Sequence, residues 1–118
     1  MRELVYQYME DHMDDLISLT VDLIQIPSEN PTGSQRKIVD YVENYLNESK
    51  IEYEEVGSNP KHPNIVAHFG KDTGYQVGWN GHLDVVPAGD LSQWKWGPFS
   101  GEVTDTQILG RGTSDMKA

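Results

Sequence analysis

Between Glu3 and Ile26 apolar side chains recur at Leu4, Val5, Tyr8, Met9, Met13, Leu16, Leu19, Leu23 and Ile24, with Glu10, Asp11, Asp14, Asp15 and Asp22 between them. A three-four spacing of this kind predicts one amphipathic helix. It should stop at Pro27, because proline disfavours helical geometry in the residue before it and has no backbone N–H to donate. The polar run 28–33 (SENPTG) is then a loop. A second helix is predicted from about Ser34 to Asn47, with Ile38, Val39, Tyr41, Val42, Tyr45 and Leu46 on a broad apolar stripe and Thr32 or Ser34 as its cap.

Beyond this helix the apolar period shortens. Ile51 to Val56 reads as a weak strand and Asn64 to Phe69 (NIVAHF) as a better one, after which a turn at Gly70 to Gly74 leads to Tyr75 to Gly81. Gln76 to Val86 (QVGWNGHLDVV) carries few charges, as a strand buried on both faces would, and is read as a central strand. A loop rich in Gly, Pro and Trp spans Pro87 to Ser100, and Gly101 to Thr104 with Gln107 to Leu109, joined at Asp105-Thr106, predict a hairpin. Two helices followed by several strands suggest an α/β layer. With no repeat, low-complexity segment or linker, a single unfinished domain is the simplest account.

Composition narrows the function classes. The chain has 118 residues, of which 36% are hydrophobic, and 11 glycines, an ordinary globular balance that predicts a modest folded core. Nine Lys and Arg against 19 Asp and Glu leave a net charge of −10, which would repel a phosphate backbone, so nucleic acid is not expected as a partner. The acidic balance is otherwise read as a solvated surface. The absence of cysteine excludes disulfides and thiolate metal sites and suits a reducing cytosol. The opening MRELVYQYMEDHMDD lacks the apolar core of a signal peptide, and no stretch approaches a membrane span, so a cytoplasmic protein without membrane association is expected.

Any metal must therefore bind through His, Asp or Glu. His82 and Asp84 are two apart, so on an extended segment their side chains share a face, at the end of a strand where functional groups gather in open α/β sheets. A neutral imidazole suits zinc-like metals, and a nearby carboxylate commonly sets its tautomer. Taken alone the pair is weak evidence, since a hydrogen-bonded histidine at a strand end is the commoner case. A second cluster, Gly110 to Lys117 (GRGTSDMK), follows the hairpin. Its glycines permit a sharp path that could bring Asp115 toward His82, and a carboxylate can bridge two cations. The plain alternative is a surface turn with Asp115 solvated. A glycine-rich phosphate cradle with Arg111 is a rival, weakened by the lack of a following GK[ST]. His12, His62 and His68 are read as packed or solvated residues, and Trp94 and Trp96 as aromatics covering a loop rather than a substrate pocket.

The two clusters in this order are more specific than either alone. Gly81 to Pro87 (GHLDVVP), then WKWGPFSGEV, then GRGTSDMKA, resemble the N-terminal signature of the M20 metallopeptidases, the group of acetylornithine deacetylase, succinyl-diaminopimelate desuccinylase, aminoacylase-1 and carboxypeptidase G2. IPSENPTG also resembles the loop after that family's first helix, so the likeness spans essentially the whole chain. The resemblance implies that His82 binds one metal, Asp115 bridges two, Asp84 steadies the His82 imidazole, and the peptide bond after Asp115 is cis. It further implies part of a three-layer α/β zinc-hydrolase catalytic domain, a mixed sheet with helices packed on it. Asp105-Thr106 where the family usually has Asp-Gly, Leu109 at its usual aromatic, and Gly97 where an Asp is frequent all depart from the pattern, and none is a proposed ligand.

The expected parent is a two-metal hydrolase that cleaves an amide bond in N-acyl amino acids or short peptides, with zinc favoured and cobalt or manganese as alternatives, and a homodimer as its assembly. Residues 1–118 are expected to be the N-terminal portion of its catalytic domain, the general base, the remaining ligands and the lid domain lying further along. Such a piece should be inactive, hold metal weakly, and self-associate through uncovered surface. A non-catalytic relative serving as a ligand- or partner-binding module, and a two-metal phosphoesterase, remain as rival readings.

Overall fold

The computed structural model describes residues 1–71, 73–74 and 76–118. Asp72, within the predicted turn, and Tyr75, at the start of the segment after it, lie outside the described residues. The elements are α1 (Arg2–Asp11), α2 (Met13–Gln25), α3 (Arg36–Glu48), β1 (Glu52–Val56), β2 (Asn64–His68), a short 3-10 turn (Leu91–Gln93), β3 (Glu102–Val103) and β4 (Ile108–Leu109). Helices with small antiparallel sheets are consistent with the α/β expectation. They form two units, Met1–Ile26 with Ala88–Ala118, and Pro27–Pro87.

In the first unit, the single predicted helix is divided at His12, whose φ of −115° and ψ of 17° leave the helical region. The backbone ladder continues through the break, from His12 N to Tyr8 O (3.2 Å) and Leu16 N to His12 O (3.1 Å). The imidazole sits at the break: Nδ1 lies 2.8 Å from the same Tyr8 carbonyl, and the ring stacks on Tyr8 at 4.0 Å, so the side chain shares an acceptor with the ladder. Termination falls where proline predicted it, with Ile26 extended (φ −94°, ψ 105°) before Pro27. No residue of α1 is buried, so its apolar stripe is uncovered among the described residues, whereas α2 buries Thr20 and Ile24. The predicted hairpin is present, pairing Glu102 with Leu109 and Val103 with Ile108. Its turn closes without glycine, because Thr104 Oγ1 accepts from Gln107 N (3.1 Å) while Thr104 N donates to Gln107 O (2.8 Å).

In the second unit, α3 packs its buried Ile38, Val39 and Leu46 on the β1–β2 hairpin side, with Tyr41 and Val42 half-buried and Tyr45 exposed at the edge of the stripe. The helix begins two residues later than predicted. Gln35 is its N-cap, and the Ser34 hydroxyl accepts from Arg36 N (3.2 Å). It ends with Lys50 in the left-handed region (φ 57°) and Ile51 N reaching back to Leu46 O (2.9 Å), the carbonyl-closing pattern that glycine usually serves. Lys50→Gly should accordingly raise stability by about 0.5–1 kcal/mol, read as a higher midpoint in thermal denaturation. β1 and β2 pair antiparallel from Glu52–His68 to Val56–Asn64.

Arg36 joins these elements. Its guanidinium donates to Asp40 and Glu43 (2.6 Å each) and, across to β1, to Glu55. Glu55 and then Asp40 hold the guanidinium well above its ordinary range, while burial is the main force raising Glu43. Arg36→Met would leave three carboxylates crowded together. Its melting temperature should fall, and fall further at low salt than at high salt, where screening relieves the repulsion.

The predicted central strand over Gln76–Val86 is not formed. Residues 76–82 are exposed, Val77 and Trp79 each at 93%, and the pairing found here is a single parallel bridge between Val85 and Glu29. A strand buried on both faces needs partners along both edges and cover above and below. Among the described residues the stretch 76–82 has neither, so its low charge does not translate into burial, whereas Val85 is buried at the bridge.

Candidate metal centre

In the Pro27–Pro87 unit, His82 and Asp84 are held by the loop that follows α2. Val85 N donates to Ser28 O (3.0 Å) and Asn30 N to Val85 O (2.9 Å), forming the parallel bridge. The fully buried Ser28 donates its hydroxyl to Leu83 O (2.7 Å), and Gln35 Nε2 donates to Ser28 O (3.2 Å). Ser28 and Asn30 thus tie down the backbone at Leu83 and Val85, and Gln35 braces Ser28.

On this support, His82 Nδ1 lies 3.0 Å from the Asp84 carbonyl oxygen and 3.3 Å from its Oδ1. A carbonyl oxygen only accepts, so the contact places a proton on Nδ1 and leaves the lone pair of the neutral ring on Nε2. That is the tautomer a metal ligand binding through Nε2 requires. The other Asp84 oxygen, Oδ2, accepts from Asn30 Nδ2 at 3.0 Å. Side-chain exposures of 47% for His82 and 38% for Asp84 leave the ring within reach of solvent or an ion.

Asp115 belongs to the other unit. Its segment is built on α2: Gly110 sits so close to Ile24 that an added Cβ would meet Ile24 Cγ2 at 2.6 Å. Arg111 N donates to Pro98 O, and Thr113 Oγ1 to Gly110 O (3.0 Å). Lys117 is buried at 4% exposure, donates its own N–H to Gly112 O (2.9 Å), and sends Nζ to Leu23 O (2.9 Å) and Ile26 O (2.7 Å). Asp115 itself is exposed, and the Asp115–Met116 peptide bond is cis, as the resemblance implied. Among the described residues no three His, Asp or Glu side chains gather in a metal-binding group. The donors themselves fit a borderline cation such as zinc: one tautomer-locked imidazole, carboxylates, and no thiol.

The remaining candidates resolve into structural parts. His12 stacks on Tyr8, His68 lies exposed 3.8 Å from Glu54, and His62 is half-buried in its loop rather than solvated. Trp94 donates Nε1 to Ala88 O (3.0 Å) and carries the Arg111 guanidinium over its ring at 5.0 Å, which turns Arg111 toward an aromatic rather than a phosphate cradle. Lys95 lies over Trp96 in the same manner, at 4.3 Å. Sequence reasoning missed Asn30 and Lys117. Each contact spans more than 50 residues, and neither residue type at its position carries a spacing signal.

Two comparisons with known proteins bear on this arrangement. Residues 78–118 match the model of Peptidase family M20/M25/M40. The chain is 38% identical over 105 residues to succinyl-diaminopimelate desuccinylase of Cereibacter sphaeroides, covering 88% of this chain and 27% of that protein. It is 40% identical over 110 residues to the enzyme of the same name from Bradyrhizobium diazoefficiens, covering 89% and 27%. An uncharacterized metallohydrolase of Methanococcus maripaludis is 37% identical over 124 residues, covering 91% and 29%. The chain therefore spans about a quarter of the length of the curated relatives it matches. Both comparisons agree with the family recognised in the motifs.

Proposed function

We propose, on the premise that this chain carries the N-terminal sequence pattern of the M20/M25/M40 peptidases, that it supplies the first metal-binding half of a hydrolase for N-acyl amino acids or short peptides. The carrying observation is the Nδ1 contact of His82 with Asp84, which presents Nε2 as a ligand atom inside the segment that the family model matches. His82 and Asp115 would hold the cations, with Asp115 bridging, and Asp84 would orient the ring. Zinc fits this donor set best, with cobalt and manganese as alternatives, and bound metal supplies an acidified water and a polarised carbonyl. The relatives named desuccinylases carry a substrate in their name that is itself an N-acyl amino acid, which supports this substrate class. The three-layer catalytic domain, the general base and a homodimer belong to the same proposal, as does a cytoplasmic location. No helix among the described residues is long and apolar enough to cross a membrane.

Zinc calorimetry tests the ligand assignment. The 118-residue chain should bind no more than one ion, weakly, and His82→Ala should weaken that binding by about tenfold, whereas His68→Ala should not. Two tight stoichiometric sites, or equal effects of the two substitutions, would remove the proposal. Assay of the longer protein with zinc against acyl-amino acids, dipeptides and phosphate esters separates amide hydrolysis from phosphoester hydrolysis and from binding alone.

A further inference from the structure

We infer that Asn30 is a positioning residue of this site, which clamps the Asp84 carboxylate beside the His82 ring and so adds to the Asp84 carbonyl a second acceptor for the Nδ1 proton; the inference rests on the reading of His82 as a ligand. The Asp84 side chain is held from both ends. Oδ1 faces His82 Nδ1 at 3.3 Å, and Oδ2 accepts the Asn30 amide at 3.0 Å. A carboxylate with one oxygen anchored cannot rotate freely about its terminal torsion, so the other oxygen stays beside the imidazole. Asn30 is itself fixed, because its backbone N–H donates to Val85 O one residue beyond Asp84, and Ser28 and Gln35 brace the same loop from a buried position. The amide is therefore aimed by the backbone bridge that also places His82 and Asp84. An asparagine suits this position because its NH2 donates while carrying no charge to compete with the imidazole for the carboxylate.

Two measurements on the 118-residue chain decide the matter. Nitrogen-15 NMR of the metal-free, histidine-labelled protein reads the His82 tautomer directly: the wild type should carry its proton on Nδ1, and Asn30→Ala should shift a resolvable fraction to Nε2. Zinc affinity should fall about three- to tenfold in Asn30→Ala, and Asn30→Ala should add nothing further in an Asp84→Ala background. Thermal unfolding of the single variants should stay close to wild type, since this contact is exposed. An unchanged tautomer in Asn30→Ala overturns the inference. So does an affinity loss that persists undiminished without Asp84, which would reveal general loosening of the loop. If instead His82→Ala binds zinc as the wild type does, the ligand assignment falls, and the tautomer result still judges the clamp on its own terms.

Discussion

Gly110→Ala is expected to destabilise the protein by about 2–3 kcal/mol, a fall in melting temperature of roughly 10 °C. The new methyl would arrive 2.6 Å from Ile24 Cγ2 and 3.2 Å from Pro98 O. Ile24 has no exposed surface, so it cannot swing aside into solvent, and the Pro98 carbonyl is occupied by Arg111 N. Relief must come from moving β4 away from α2, which loosens the segment leading to Asp115. Gly97→Ala is the matched control, because a Cβ there would meet nothing within 4 Å. Differential scanning calorimetry of the pair checks the result; equal melting temperatures would show that the close approach of Gly110 to Ile24 does not occur in solution.

Lys117→Met should cost a similar amount, about 3 kcal/mol, near pH 10, and less near pH 7.5, where the buried charge of the wild type offsets part of the loss. The last carbonyls of a helix have no partner within it and are best met by a cation. α2 has no basic residue in its own last turn, and the ammonium of Lys117, more than 90 residues further along, supplies that role to Leu23 and Ile26. Methionine fills the space and leaves both carbonyls without this donor. The variant also carries a pH signature. Burial pushes the Lys117 ammonium down from 10.5 to about 8, so between those values the folded chain binds fewer protons than the unfolded chain. Wild-type stability should then rise as pH climbs from 8 toward 10.5, relative to Lys117→Met, which has no such group. Denaturant titrations of the two proteins at pH 7.5 and 10 measure the difference, and parallel pH profiles would contradict it.

Much of the local structure follows from neighbours in sequence. Pro27 ends α2 by steric restriction of Ile26, the three-four apolar spacing marks α3, a shorter apolar period marks β1 and β2, and two short runs joined at Asp105-Thr106 mark the β3–β4 hairpin. Each of these signals acts within a few residues, so a sequence contains it in full. The candidate ligands His82 and Asp115 are proposed for a related reason: the order of GHLDVVP and GRGTSDMK is a linear pattern. Reading along the chain failed at two kinds of place, where a side chain shares an acceptor with the backbone and where a distant partner decides. The helix is divided at His12, whose ring reaches the Tyr8 carbonyl, a contact that helical periodicity does not register.

The segment 76–86 makes the division plain. Its composition set an apolar, nearly uncharged stretch with a histidine and an aspartate two apart, and nothing more, since burial belongs to a residue's surroundings and not to the residue. Tertiary structure decided that Val77 and Trp79 stand in solvent, that Val85 pairs with Glu29, and that Asp84 lies between His82 and Asn30. A hydrogen bond between positions 30 and 84 depends on the folded path of the 54 residues separating them. The sequence by itself therefore determined which donors are present and how the nearest backbone bends, while only the packed chain decided which proton each donor holds and toward what it is aimed.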